Sequence, residues 1–389
     1  MSPDIAKFIA PGLTYFGAGA ASRAADIAER FKARKAFLVT DKGVRKAGLV
    51  DVVINTLETA GLTVDVFDRT TPEPMVETVQ EASKTLAEAG RVDLIVSVGG
   101  GSVMDVAKCA DVVASNGGSI LDFEDGIENP RKVRCLMPHL AIPTTAGTGS
   151  ETTFWAVFID PKRRFKTAIQ DERLVADVAI LDPEMTITMP PAVTAATGMD
   201  ALTHAIESFV SVHANPITDA LCVQSIKLVA QNLKRAVKDG KDTDARANML
   251  LASYMAGAAF NNSSLGIVHT LAEAIGGYYR ISHGITNALM LPGVMRFNSR
   301  AVVGKLAMVA QLMGEDISGL KKRNAAELAA GSVADLRKRT GLPGRLREVG
   351  VRREDFPALL DIADRWANSS GNPRQVTRRQ LEKLYEEVF

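Results

Sequence analysis

Five histidines occur in the 389 residues, and three of them stand where a cation could be held. In GMDALTHAIE, Asp200 and His204 lie one helical turn apart, so a helix would put carboxylate and imidazole on one face. His269 follows in LGIVHTLAEAIGG, and His283 comes fourteen residues later in ISHGITNA. One carboxylate and three imidazoles form a nitrogen–oxygen donor set suited to a divalent first-row metal; Ca²⁺ would prefer oxygens alone. The other two histidines read as ordinary core or surface residues, His139 in a strand-like run and His213 in the polar stretch SVHANP. Glu207, the next carboxylate along, reads more readily as solvated than as an acceptor behind the ligands.

A second chemistry is written in glycines. Gly99, Gly100 and Gly101, with Ser102, follow the apolar run LIVSV and precede the helical pattern VMDVAKCADVVA. Such a turn lets backbone amides approach a pyrophosphate closely, and the helix N-terminus adds partial positive charge. Ser102 and Asp105 have capping-box spacing, so a tight turn with an ordinary cap is the competing reading. The stretch Pro143–Ser150, PTTAGTGS, follows another strand pattern and offers hydroxyls to a ribose or a nicotinamide amide. Gly17-Ala-Gly19-Ala-Ala-Ser22 with the later Asp41 resembles a dinucleotide fingerprint, but Ser22 replaces the third glycine. A structural turn is the stronger reading there.

These groups need elements to carry them. Strand patterns at Lys35–Thr40, Thr63–Phe67, Leu94–Val98 and Leu136–Ile142 alternate with helical patterns at Leu49–Ala60 and Met75–Ala89. Unbroken apolar strands alternating with helices predict a parallel sheet covered on both faces. Beyond Met189–Pro191 the chain becomes Ala- and Leu-rich and loses its strand patterns, which predicts a helical second half. The expected division is an α/β part over residues 1–189 and an all-α part over 190–389. Polar loops are expected at Lys238–Asp244 and Asn368–Pro373.

Composition narrows the partner. Lys plus Arg number 46 against 45 Asp plus Glu, which gives no electrostatic reason to bind nucleic acid or an anionic membrane. A small molecule is the expected partner. Three scattered cysteines fit neither a disulfide framework nor a thiolate cluster and suit a reducing cytoplasm. The opening MSPDIAKFIAPG shows no signal-peptide pattern, and no run reaches the roughly 20 apolar residues that span a bilayer.

The motifs GGGSVMD (Gly99–Asp105), PTTAGTGSE (Pro143–Glu151), AATGMDALTHAIE (Ala195–Glu207), FNNSSLGIVH (Phe260–His269) and SHGITNA (Ser282–Ala288) resemble, in order, those of the iron-containing alcohol dehydrogenases. The resemblance spans essentially the whole chain and includes Lys166 and Asn372-Pro-Arg374. It implies a Rossmann-like half and a helical half with the active site between them, of dehydroquinate synthase-like architecture. It further implies Fe²⁺, or Zn²⁺ or another divalent ion, on Asp200, His204, His269 and His283. NAD would be held by Gly99, Gly100, Gly101, Ser102, Asp105, Thr144, Thr145, Thr148 and Lys166. Asp41 matches the position that favours NAD over NADP, because a carboxylate accepts from a ribose 2′-hydroxyl and repels a 2′-phosphate. Gly17–Ser22 then becomes a structural turn.

One position departs from the family. Many members carry a proton-transferring histidine four residues after the third ligand, and this chain has Glu273 there. Glu273 could relay the proton, reshape substrate choice or add a weak metal contact. Phe154 and Trp155, just beyond the hydroxyl-rich loop, could narrow a pocket or simply pack. The expected reaction is reversible hydride transfer between NAD(H) and a small primary alcohol, aldehyde or diol, by a cytoplasmic homo-oligomer. The alternatives are a dehydroquinate synthase-like metal lyase and a non-catalytic NAD-binding assembly subunit.

Overall fold

The structure, a computed structural model, describes residues 6–163, 165–365 and 371–389. Met1–Ile5 of the opening segment and residues 368–370 of the expected polar loop fall outside the described residues. The chain packs as two compact units.

The first unit takes in Ile9–Thr145 and Gly149–Met189. In chain order its elements are β1 (Leu13–Phe16), α1 (Ala24–Arg30), β2 (Lys35–Val39), α2 (Lys42–Lys46), α3 (Leu49–Thr59), β3 (Thr63–Phe67) and α4 (Val76–Glu88). There follow β4 (Leu94–Gly99), α5 (Gly101–Asn116), β5 (His139–Pro143), β6 (Trp155–Asp160), β7 (Phe165–Gln170) and β8 (Val178–Leu181). Six strands form one parallel sheet in the order β1-β8-β5-β4-β2-β3, and β6 and β7 form a separate antiparallel pair.

The apolar runs explain this arrangement. Every residue of LIVSVG in β4 and HLAIP in β5 is buried, as a strand covered on both faces requires. On one face Leu38, Val96, Leu140 and Ile142 meet Ile27 of α1 and Val53 and Leu57 of α3. On the other, Phe37, Val39 and Ile95 meet Ala82 and Leu86 of α4 and Val106 and Ala110 of α5. Burying a Leu, Val or Phe side chain in such a layer stabilises by about 1.5–3 kcal/mol.

From β2 the chain moves outward to β3 and then returns to place β4 on the other side of β2. Strand order therefore reverses between β2 and β4, and the crevice at their carboxyl ends is where an open α/β sheet takes its ligand. Asp41 follows Thr40 after β2 there, Gly99 ends β4 and Gly100 leads into α5, and Thr144 follows the adjacent β5.

Two local expectations need correction. β5 starts at His139 rather than Leu136, because the amides of Met137 and His139 donate to the Asp111 and Asp177 carboxylates, each at 2.9 Å. Ser102 is not a helix cap: α5 is capped by Gly100 without a side-chain bond, and Asp105 accepts from Ser150 Oγ at 3.1 Å. Gly17 and Gly19 adopt left-handed φ values of 141° and 76°, and the Ala21 amide that follows is held by Asp182 at 2.9 Å.

The second unit contains residues 6–8, Ala146–Thr148 and the described part of Pro190–Phe389. It is helical: α6 (Pro191–Val210), α7 (Pro216–Lys238), α8 (Thr243–Ser263), α9 (Ile267–Tyr279), α10 (His283–Leu312), α11 (Lys322–Arg339), α12 (Phe356–Ala363) and α13 (Arg378–Val388). Pro191 starts α6 at a position where its missing N–H costs nothing. α7, α8 and α10 pack around α6, leaving nearly every residue from Thr194 to Val210 buried. A Cβ on Gly284 would lie 2.2 Å from the Ala196 carbonyl oxygen, so only glycine lets the start of α10 press so closely on α6.

Candidate metal centre and cofactor loops

α6 supplies Asp200 and His204, α9 supplies His269 near its start, and His283 is the first residue of α10. One donor atom from each lies within 4.8 Å of the others. His204 Nε2 and His283 Nε2 are 3.9 and 3.8 Å from Asp200 Oδ1. The rings stack: His204 lies 4.7 Å from His269 and 4.5 Å from Phe260, centroid to centroid.

The far side of each ring decides which nitrogen faces inward. His269 Nδ1 donates to Glu207 Oε2 at 2.6 Å, while Glu207 Oε1 accepts the Val268 amide at 2.7 Å. His204 Nδ1 donates to the Gly147 carbonyl at 3.2 Å. With Nδ1 protonated, Nε2 of both rings keeps its lone pair for a ligand. Burial drives the His204 pKa down to about 4, which holds that ring neutral. Burial also disfavours charge on His269, but the hydrogen bond and charge of Glu207 outweigh it and raise its pKa.

Asn287, one turn into α10, reports on the same point. Its Nδ2 lies 2.7 Å from Asp200 Oδ1 and 3.1 Å from both His269 Nε2 and His283 Nε2, while its Oδ1 is buried with no hydrogen-bond partner. An amide donor is directed at the electron pairs that a cation would take. Two imidazoles anchored from behind, a third on His283 and the Asp200 carboxylate form a donor set that fits a divalent first-row metal.

Glu207 thus anchors the His269 ring, against the solvated reading from sequence; it is 4% exposed. Asn287 and Phe260 were not singled out. Asn287 could have been found as the residue one turn after His283, on the same helical face. Glu273 sits on the exposed side of α9, one turn beyond His269. His139 is buried against Ser97 Oγ at 2.8 Å, and His213 is exposed in a turn. Phe154 and Trp155 are half-buried and pack on one another with centroids 5.7 Å apart.

The sheet unit carries the other candidates except Thr148. A Cβ on Gly99 would fall 2.4 Å from Val103, and one on Gly100 would press on Thr145 at 3.1 Å. The backbone turn into α5 therefore needs glycine at position 99 and leaves little room at 100. The Thr144 amide donates to the Gly99 carbonyl at 2.9 Å, joining the two loops. Asp105 carries a carboxyl raised to about 6 by burial. Asp41 caps α2 through Oδ1, which accepts the Gly43 and Val44 amides at 2.7 and 3.0 Å. Lys166, on β7, is ion-paired to Glu73 at 2.8 Å. Thr148 lies in the short stretch that packs with the helical unit.

Comparison with known proteins places this geometry. Residues 11–183 match the family model described as iron-containing alcohol dehydrogenase, and residues 194–389 match the C-terminal model of the Fe-containing alcohol dehydrogenase family. The chain is 40% identical to the 1,3-propanediol dehydrogenase of Citrobacter freundii, with both sequences fully covered. It is 39% identical to the NAD-dependent methanol dehydrogenase of Bacillus methanolicus, over 98% of this chain and 100% of that one. A crystal structure of a 1,3-propanediol oxidoreductase superposes with a TM-score of 0.95 at 40% identity, covering 99% of this chain and 100% of the other. The sequence resemblance therefore holds across both halves: the chain belongs to the iron-containing alcohol dehydrogenase family and is an NAD-dependent, metal-dependent alcohol dehydrogenase or aldehyde reductase.

Proposed function

We propose that Asp200, His204, His269 and His283 hold the metal, iron in the first instance, and that the substrate is a short primary alcohol or diol or its aldehyde. The convergence of the four donor atoms within 4.8 Å carries this reading. The small alcohols named for the two relatives support the substrate class. A divalent cation in this donor set supplies Lewis acidity to a substrate oxygen.

The chain's own residues do the rest. Glu207 and the Gly147 carbonyl hold two imidazoles in one tautomer, and Asn287 steadies the Asp200 carboxylate. Gly99–Ser102 offer amides to the cofactor phosphates at the start of α5, Thr144, Thr145 and Thr148 offer hydroxyls, and Asp105 and Lys166 border them. Asp41 would accept from the ribose 2′-hydroxyl and select NAD over its 2′-phosphorylated form. Glu273, exposed to water one turn from His269, exchanges the proton that the oxidised alcohol releases. In this reading residues 1–189 are the cofactor part, apart from the stretches that pack with the helices, and residues 190–389 the metal part. The reading includes a cytoplasmic homo-oligomer, a dimer first. Free Cys109, Cys135 and Cys222 support the compartment, and edge strand β1 with Phe16 48% exposed supports self-association.

An aldehyde panel with NADH and NADPH, run beside metal analysis, tests the reading. NADH-linked reduction of short aldehydes should fall at least roughly a hundredfold in H204A and H283A as the metal is lost. Glu273→Gln should keep its metal and change the pH–rate profile. Undiminished turnover in H204A and H283A would remove the metal assignment, and an unchanged profile in E273Q would remove the proton role.

A further inference from the structure

A second buried construction lies in the sheet unit. Lys108, on α5 three residues after Asp105, is 3% exposed. Its Nζ donates to the carbonyl oxygens of Ser150, Thr153 and Trp155 at 2.7, 2.8 and 3.0 Å. The hydroxyls of Ser150 and Thr153 lie further out, at 3.3 and 3.2 Å. An ammonium has three protons and no lone pair, so three carbonyls match it. They come from one short stretch, the turn Ser150–Thr152 and the entry to β6.

The charge is built in. Asp105 and Glu151 flank it and oppose the effect of burial, which pulls the Lys108 pKa down to about 8. Glu151 is 1% exposed, and its Oε1 is buried with no hydrogen-bond partner. Ser150 Oγ closes the ring by donating to Asp105 Oδ1 at 3.1 Å. Burying an ammonium is costly unless it is hydrogen-bonded, and here three main-chain carbonyls of one segment supply those bonds.

We propose that Lys108 is a positioning residue for the dinucleotide. Its ammonium ties the helix that follows the Gly99–Gly101 turn to the segment that continues the Thr144–Thr145 loop, and so fixes the two loops relative to each other without touching the cofactor. The assignment rests on the reading that these strand-end loops bind NAD. It predicts that cofactor affinity depends on an N–H-bearing cation at this point and that metal binding does not.

K108A and K108M, prepared as full-length metal-loaded enzymes, test this through NADH fluorescence titration and steady-state kinetics. Both variants should bind NADH roughly tenfold more weakly or worse, with kcat at saturating NADH, aldehyde KM and metal content close to wild type. n-Propylammonium should restore NADH affinity in K108A, where it can refill the space, but not in K108M, where the side chain occupies it. Tetramethylammonium, with equal charge and no N–H, should restore neither. If K108A does not fold by circular dichroism, K108Q, which keeps an N–H donor without the charge, should show an intermediate loss. Wild-type NADH affinity in a folded K108A or K108Q, or equal rescue by both cations, overturns the assignment of Lys108. Absence of NADH binding by the wild-type enzyme overturns instead the cofactor reading beneath it.

Discussion

At the scale of single residues, the proposed metal centre depends on atoms outside its four donors. Glu207 uses both carboxylate oxygens, one on His269 Nδ1 and one on the Val268 amide at the start of α9. It orients the ring and anchors the helix that presents it. Glu207→Gln keeps the size but cannot accept from Nδ1–H and from the amide with both atoms. Outer hydrogen-bond partners of metal ligands are commonly worth 10–100-fold in affinity. We therefore expect E207Q to release its metal to a competing chelator at roughly 10–100-fold lower concentration. Unchanged competition would show that the carboxylate merely fills space.

At the scale of elements, the site depends on how tightly α10 can approach α6. A methyl group at residue 284 has no room against the Ala196 carbonyl oxygen, 2.2 Å away, and backbone does not yield as a flexible side chain does. Gly284→Ala should lower unfolding free energy by about 1–3 kcal/mol, the usual cost of overpacking. It should also lower metal occupancy by shifting His283 and Asn287, as urea unfolding with metal analysis would show. Full occupancy with native stability would mean that the helices separate freely. The sequence shows the histidines plainly but not this contact, because a glycine's neighbours come from another helix, 88 residues away for Ala196. The same limit divided the strands. β2, β3 and β4 were legible as apolar runs between helices, whereas β1, β8 and the β6–β7 pair were not, since short strands owe their pairing to partners far along the chain. Glu207 was misread for the same reason: its partner is 62 positions away.

At the scale of the whole molecule, acid stability has an identifiable origin. Burial presses the His139 pKa from 6.5 to about 3, with Lys108 adding to the effect. The unfolded chain takes up a proton near pH 6.5 that the folded chain refuses until about pH 3. The neutral ring therefore contributes stability above pH 6.5 that is lost as pH falls through this window. One such group costs about 1.4 kcal/mol per pH unit. Urea unfolding between pH 6 and 4 should show a shallower decline in His139→Gln than in wild type, by a slope of about that size. Equal slopes would place the acid sensitivity elsewhere.

The carbonyl that fixes the His204 tautomer belongs to Gly147, 57 positions earlier, in the three-residue stretch that leaves the sheet and packs among the helices. A chimera joined at residue 190 would therefore combine the imidazole of one parent with the acceptor of the other. Recombination among relatives should carry residues 146–148 together with the helical segment, and a fragment beginning at Pro190 should leave His204 free to protonate either nitrogen. What looks like a clean seam in the sequence is, for the purpose of cutting and exchanging parts, a stitched one.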